Sequence, residues 1–570
     1  MFCRLLTRRP PAVRRWRSLR SRPELWRALH VSAESGLSPA GLTRLLAWAH
    51  PCAALDVSLD ASRGSGGFGV KDVLSFVGAL TAVTALYLND KVNAACMKSI
   101  VKKHGSRLRS LSLKMCVNDM KTLAAVFSMV AALPALETLE LSRRVLGAYF
   151  HARAEPGVIS IALGITPDVL DAMQKDIAKA RGGGSSLITY LRAPVTAPAL
   201  AKLGAVFPEL TTLHLPMLAV AAAEGRGVMS NMAAVTAEQE KEGDDTMALA
   251  LYHAGDLVPL LRLERLSMNF AGERYYNPSP LSVACVLLDF LPAPQPGTLR
   301  QLALRTNLQA PSYLVCPMEM LAPGVAAGLH TLLLQGFSFS SQHNLEQLRE
   351  LTSLTLDGCA GSAARDACEA VDRCPRLRML RLANIPLKAA DVAALPASQL
   401  ENLTLDRCGT GAPAALQAAA RAGALSALET LTLHCPAHEP LKVDAAAAGY
   451  YHLRSHDTDL KGIFASDAPL PALKALTLGG ADLCAAQWSR LSAPALRAVT
   501  LLHGASTRSP AQDGLKRSAA EWETLRAAAA AAVARACPRA AVVVFEESER
   551  KTGSISLLHE GPHGDGVFYA

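Results

Sequence analysis

The chain has 570 residues, of which 50% are hydrophobic but only 5% aromatic, and its formal net charge at pH 7 is +9. Nine arginines and a single acidic residue lie within the first 30 positions, so the rest of the chain is almost neutral. A nucleic-acid-binding protein would need a basic stripe along its body, and the almost neutral charge after residue 30 excludes such a stripe. The abundance of Ala and Leu suits small repeated units better than one large aromatic core.

The cysteines and the apolar runs bear on the cellular location. Thirteen cysteines are spread along the chain without a dense cluster. An odd number of dispersed cysteines in a long chain favours reduced thiols and hence an intracellular location, cytoplasmic or nuclear. The longest apolar run, residues 123–136, contains Ser128 and Pro134 and is too short to span a bilayer. We therefore expect no membrane partner.

The first element in the chain is a basic segment, residues 1–32. It contains two pairs of a tryptophan and a leucine three residues later, Trp16 with Leu19 and Trp26 with Leu29. That spacing would place the two members of each pair on one face of a helix. Two such faces can pack together and cover the open first repeat of an array.

The same segment resembles the closing part of an F-box. In that family a helix ending in W-R-x-L is followed by P-x-L-W-x-x-L and then directly by repeats. The residues that carry the resemblance are Val13, Trp16, Leu19, Leu25, Trp26 and Leu29. The resemblance implies that these residues bind a Skp-type adaptor. The Leu-Pro segment and the two helices that open the family motif are not recognisable here, so the match is partial.

Two other interpretations of the basic segment stay open. An Arg-rich start that is almost free of acidic residues is also typical of a mitochondrial presequence. The proline pair at residues 10–11, Pro23 and the two large tryptophans fit a presequence less well. The third interpretation is a plain basic cap on the array.

A repeat dominates the chain from residue 33 to 545. The template L-x-x-L-x-L-x-x-N/C matches in full at residues 108–116, 299–307, 351–359 and 400–408. Nine further copies keep the apolar anchors, beginning at positions 83, 136, 210, 263, 329, 377, 428, 473 and 496. Because side chains alternate along a strand, the L-x-L pair points to one side, and neighbouring copies stack these leucines into a continuous core.

The pattern resembles the cysteine-containing class of leucine-rich repeats. It predicts an α/β repeat solenoid, a leucine-rich-repeat horseshoe with parallel inner strands and outer helices. Ala-rich stretches at 363–371 and 412–424 are the expected outer helices. The polar N/C position should bond to backbone that the turn leaves free.

Polar segments interrupt and end the array. Residues 219–250 contain an acidic run, and residues 437–470 are rich in His, Asp and Tyr. Both are expected to be solvated insertions, since the scattered residues of the second lack the fixed spacing of a metal site. A helix at 518–537 and a strand at 541–545 should close the array, and residues 546–570 form a polar tail.

No motif of an enzyme is present. The glycine-rich tract at 64–69 matches G-x-G-x-x-G, but neither the acidic residue of a dinucleotide site nor the motifs of a kinase follow it. Cys359 and Cys374 occupy positions that the repeat itself explains, so they do not indicate zinc. We predict a non-catalytic protein without cofactor or metal.

The concave face of the solenoid is the candidate binding surface for a protein partner. Residues between and just after the strand leucines point to it, and the candidate contacts are Asp357, Arg381, Thr404, Asp406 and Thr432. Thr also suits strands in general, so its abundance there can reflect strand preference alone. The resemblance to F-box/leucine-rich-repeat proteins implies a substrate-recognition subunit of a cullin–RING ubiquitin ligase. The alternative is a scaffold with no connection to ubiquitin, located in the cytosol or in mitochondria.

Overall fold

The fold is described from a computed structural model of the chain. The residues that it describes are 28–32, 55–60, 83–89, 94–115, 129–130, 133–143, 165, 167–216, 218–219, 260–269, 297–306, 323–339, 347–361, 363–385, 387, 399–408, 412–434, 470–479, 493–502, 527, 531, 534 and 541–545. Several sequence predictions fall outside them. These are the roles of Val13, Trp16, Leu19, Leu25 and Trp26, the insertions at 219–250 and 437–470 except for one end residue of each, the helix at 518–537 except for three isolated residues, and the tail at 546–570.

The chain divides into two compact units, principally Met1–Leu299 and Arg300–His559. The described elements of the first unit are, in chain order, β1 (Ala28–Ser32), β2 (Leu55–Asp60), β3 (Val83–Asn89), α1 (Ala94–His104), β4 (Ser110–Met115), β5 (Thr138–Arg143), α2 (Pro167–Ala180), β6 (Tyr190–Arg192), β7 (Val195–Thr196), α3 (Ala197–Val206), β8 (Thr212–Leu215), β9 (Leu218–Ala219) and β10 (Arg265–Asn269). Strands β1 to β6, β8 and β10 pair in parallel in that order, and β7 pairs with β9.

The second unit repeats the same plan. Its described elements are β11 (Gln301–Arg305), α4 (Pro323–Gly328), β12 (Thr331–Gln335), β13 (Ser338–Phe339), β14 (Ser353–Asp357), β15 (Ala360–Gly361), α5 (Ala363–Arg373), β16 (Met379–Ala383), β17 (Asn402–Asp406), α6 (Ala412–Arg421), β18 (Thr430–His434), β19 (Ala475–Gly479), β20 (Ala498–Leu502) and β21 (Ala541–Phe545). Every long strand pairs in parallel with the next one along the chain, and β13 pairs with β15.

Leucines in register form the core of the second unit. The first strand anchors lie directly opposite one another from strand to strand and are no more than 2% exposed: Leu302, Leu332, Leu354, Leu380, Leu403, Leu431, Leu476 and Val499. A fully buried leucine contributes roughly 1.5–3 kcal/mol relative to an exposed one. The leucines of each strand are covered by those of the neighbouring strands, so no single repeat could bury its own leucines.

The turn before each strand is also repeated. A buried residue accepts a backbone hydrogen bond from the N–H three positions later, as in Leu377 to Cys374 at 2.9 Å and Leu428 to Leu425 at 3.2 Å. Pro375 follows Cys374 and ends α5 at Arg373, because proline has no N–H to continue the helix. The tight turn directs the chain from the helix layer into the next strand.

The helices pack against the side of the sheet on which the leucines lie. Helix α2 buries Val169, Leu170, Met173 and Ile177, whose spacing places them on one face. The predicted outer helices at 363–371 and 412–424 are confirmed as α5 and α6. The described residues therefore form an α/β leucine-rich-repeat solenoid with parallel strands, as the sequence predicted.

One prediction about the basic segment is wrong. The spacing of Trp26 and Leu29 indicated a shared helical face, but Leu29 lies in strand β1, which pairs in parallel with β2. The residues from Ala28 to Ser32 read Ala-Leu-His-Val-Ser, and this alternation of polar and apolar residues suits a strand as well. The parallel strand register thus extends into the segment assigned to residues 1–32; the domain boundaries themselves stay a prediction.

Candidate functional site

The residues opposite the leucine rows form what we call the inner face of the sheet. Because side chains alternate along a strand, the residue between the two leucines of each strand points away from the core. In the second unit these residues are in direct register across β14 to β20: Thr355, Arg381, Thr404, Thr432, Thr477 and Thr500. Neighbouring strands lie about 4.8 Å apart, so the row has one side chain at each such step. Thr355, the first of them, is buried, and the accessible part of the row begins at Arg381.

Asp406 lies at the end of β17 and is the centre of a cluster of charges. Its Oδ1 accepts a hydrogen bond from Nδ1 of His434 at 2.8 Å. Nη2 of Arg381 lies 3.7 Å from Oδ2, and Nε of Arg407 lies 3.9 Å from Oδ1. Burial by itself would raise the pKa of Asp406, but the His434 hydrogen bond and the nearby positive charges outweigh it and hold this pKa below its ordinary value. The carboxylate is therefore ionised and acts only as an acceptor.

Asp357 occupies the equivalent position at the end of β14. It is only 5% exposed, and Nδ2 of Asn384 donates a hydrogen bond to its Oδ1 at 2.6 Å. Burial raises the pKa of Asp357, while the Asn384 hydrogen bond and the charges of Arg381 and Arg407 oppose that rise. The sequence predicted that Asp357 contacts a partner; the structure places this residue in the interior, and its role in binding stays a prediction.

The residue after each strand adopts a left-handed backbone in four successive repeats. The φ angles are 78° at Gly336, 57° at Gly358, 53° at Asn384 and 58° at Arg407. Each N–H donates to the carbonyl of the last residue in the following strand, over 2.7–2.9 Å. Glycine adopts this backbone freely and Asn tolerates it, but in Arg407 it costs roughly 1–2 kcal/mol. That backbone carries the side chains of Asn384 and Arg407, which contact Asp357 and Asp406.

Cysteines next to these turns bond to the backbone of the preceding repeat. Sγ of Cys359 donates to the carbonyl of Leu334 at 3.4 Å, and Sγ of Cys408 donates to that of Leu382 at 3.2 Å. Burial raises the pKa of the Cys359 thiol to about 12, so the thiol keeps the proton that it donates. The predicted structural role of the N/C position is confirmed at these two residues.

The first unit has a smaller charged pair on its own inner face. Glu140 and Arg192 are directly opposite on β5 and β6, and Nη1 of Arg192 lies 2.9 Å from Oε1 of Glu140. The next strand places His214 opposite Arg192. The pair is mutually neutralised, and it is less extensive than the cluster of the second unit.

The second unit brings most of the predicted site residues together. Arg381, Asp406 and Asp357 belong to one electrostatic cluster, and Thr404 and Thr432 lie opposite each other within the inner-face row. Their role in binding stays a prediction.

Sequence reasoning missed Asn384 and Arg407 as members of this cluster. Asn at the position where the preceding repeats have glycine was a usable signal, because Asn tolerates the left-handed backbone. Arg407 gave no such signal.

The described residues also bear on metal binding and on membranes. Among them, no group of three His, Cys, Asp or Glu side chains is placed to hold a metal ion. Within the same residues, no helix has both the length and the apolar character needed to cross a membrane.

Comparisons with known proteins give only distant likenesses. No family model matches the chain, and no curated protein matches it. Among solved structures, an internalin from Listeria monocytogenes is 12% identical over 82% of this chain and 91% of its own, with a TM-score of 0.27. The complex of Rad7 and Elc1 in yeast is 11% identical over 83% of this chain and 76% of that chain, with a TM-score of 0.25.

Proposed function

We propose that the chain is a non-catalytic binding protein that holds a protein partner on the inner face of its second unit. The observation that carries the proposal is the fixed row of side chains that includes Arg381, Thr404 and Thr432, one on each successive strand. The core leucines immobilise these strands from behind, so the polar groups are held in place before a partner arrives. Preorganised groups of this kind lose little entropy on binding.

Strand preference is the simplest rival explanation for this face. It accounts for the threonines, because β-branched residues suit strands anywhere. It does not account for Arg381, nor for the left-handed backbone that carries the side chain of Arg407 towards Asp406. A partly buried charged cluster contributes little to stability compared with apolar packing, so a binding role explains it better.

A photo-cross-linking experiment tests the binding face. A photoreactive phenylalanine derivative is placed at Thr477, beside Thr432 in the row, or at Gln417 on helix α6 as the control. We expect a protein to be captured from Thr477 and not from Gln417, because only the first position lies on the inner face. Equal capture from the two positions, or capture from Gln417 alone, would contradict the proposal.

A finer function concerns ubiquitin ligation. We propose that the chain is the substrate-recognition subunit of a cullin–RING ligase and acts in the cytoplasm or nucleus. This rests on the resemblance of the block around Trp16 and Trp26 to an F-box, which in that family precedes leucine-rich repeats directly. The alternative is a scaffold without this connection, cytosolic or mitochondrial, since the same segment is rich in arginine.

Co-purification with a Skp-type adaptor distinguishes the two functions. We expect the full chain to retain the adaptor. The variant Trp16→Ala/Trp26→Ala should retain at least tenfold less adaptor, because the apolar contacts of both indoles are removed. Trp488→Ala, a tryptophan outside the motif, should retain the adaptor fully. Absence of adaptor from the unmodified chain, or import of a fluorescent protein into mitochondria by residues 1–35, would favour the scaffold.

A further inference from the structure

This inference rests on the proposed protein-binding function. We infer that the inner-face cluster, the group of Arg381, Arg407, Asp357 and Asp406 in the second unit, receives a carboxylate side chain from an acidic segment of the partner protein. The receiving groups are the guanidinium groups of Arg381 and Arg407 on β16 and just after β17. The partner is thus distinguished by its chemistry, an exposed Asp- or Glu-rich stretch.

Each carboxylate of the cluster already accepts a hydrogen bond from within the protein. Asp406 accepts from His434 at 2.8 Å and its side chain is only 14% exposed. Asp357 accepts from Asn384 at 2.6 Å and is buried more deeply. Both carboxylates thus have internal donors and are less exposed than the guanidinium groups beside them, which disfavours a lysine- or arginine-rich segment.

The donors of the cluster are incompletely used. The guanidinium groups of Arg381 and Arg407 lie 3.7 and 3.9 Å from the carboxylate of Asp406, which is longer than a hydrogen bond. Their side chains are 21% and 25% exposed, more than that of Asp406 between them. Guanidinium groups bind carboxylates through paired N–H donors, a geometry that a single Asp or Glu of a partner can supply.

The backbone of Arg407 supports the same conclusion. Two earlier repeats have Gly336 and Gly358 at the equivalent turn, where the left-handed backbone carries no strain. Arg407 adopts that backbone in spite of its side chain. Strain of this kind is characteristic of positions where the side chain serves a site.

The charges of the cluster favour a single carboxylate over a polyanion. The two carboxylates of Asp357 and Asp406 balance the two guanidinium groups, so the cluster lacks the excess of positive charge that a run of phosphates would require. Thr404 lies opposite Arg381 and Thr432 lies opposite Thr404, and both half-exposed hydroxyl groups suit the polar backbone of an extended peptide.

The test is a selection from a displayed library of random twelve-residue peptides against the full chain. We compare the chain with Arg381→Gln/Arg407→Gly, in which the glycine suits the left-handed backbone. The control is Arg349→Gln/Arg497→Gln, which removes the same charge at exposed positions away from the inner face. Hydrogen exchange of β16 and β17 in both variants reports whether the strands remain folded.

We expect the selected peptides to be enriched in Asp and Glu, to bind the inner-face variant at least tenfold more weakly, and to bind the control within about twofold. Selected peptides that are basic or uncharged, undiminished binding to a folded inner-face variant, no enrichment, or equally strong competition by a single-stranded oligonucleotide would each overturn the inference. If one of these results is obtained but Thr477 still gives specific cross-linking, the protein-binding proposal stands. If the cross-linking from Thr477 also fails, the protein-binding proposal is removed as well.

Discussion

We expect Gly336→Ala to destabilise the second unit by about 2–5 kcal/mol. The φ angle of 78° places this residue where an L side chain costs roughly 1–2 kcal/mol. A Cβ atom would also lie 2.6 Å from the carbonyl oxygen of Thr306 and 2.8 Å from its Cγ2. Relieving that overlap must move the backbone of the preceding repeat, at a further cost of about 1–3 kcal/mol.

Gly358→Ala is the matched control for this substitution. It has the same kind of backbone, with φ of 57°, but no atom lies within 4 Å of the position that a Cβ would take. We expect it to cost only the conformational part, roughly 1–2 kcal/mol. The measurement is hydrogen exchange of the amides in β11, β12 and β14, because a repeat array opens locally and a single unfolding transition is not assured. Equal losses in the two variants would show that the approach to Thr306 is unimportant.

Most of the strand layer could be predicted because the repeat has a strict local signature. All thirteen copies of L-x-x-L-x-L found in the sequence correspond to strands, from β3 to β20. The strand predicted at 541–545 is confirmed as β21. Each copy contains its own turn and its own apolar pair, so no knowledge of distant contacts is required.

The strands that escaped prediction have weaker anchors. In β6, Leu191 lies opposite Leu139, but the next inward position is Ala193, which is fully buried and smaller than the usual leucine. The long step from Leu139 on β5 to Leu213 on β8 leaves room for such a degenerate copy. Strand β1 was misread because Trp26 and Leu29 also satisfy a helical spacing, and pairing with β2 decides between the two patterns.

The candidate site could be predicted only in part. Alternation along a strand placed Arg381, Thr404 and Thr432 on one face, which is a local property. The contacts of Asp406 with Arg407 and His434 depend on a backbone angle and on a residue 28 positions away. Such contacts follow from the register of neighbouring strands, so residue types alone did not reveal which charges would meet.

The second large effect concerns binding. Thr404 and Thr432 lie directly opposite each other, half-exposed, with their strands held by the buried Leu403 and Leu431. Thr404→Tyr/Thr432→Tyr adds two uncharged rings at this point of the inner face, and tyrosine suits a strand as well as threonine does. We expect the partner captured from Thr477 to bind this variant at least 100-fold more weakly, a loss of about 2.8 kcal/mol, because the rings occupy the space of the bound segment.

The dissociation constant of that partner, measured by titration calorimetry, tests most directly whether the inner face is the binding surface. Gln417→Tyr/Ser426→Tyr adds the same rings outside the sheet and should keep the affinity of the unmodified chain. We expect loss of binding in Thr404→Tyr/Thr432→Tyr alone, with the hydrogen exchange of β17 and β18 unchanged. An unchanged dissociation constant in that folded variant would contradict the assignment of the inner face as the binding surface.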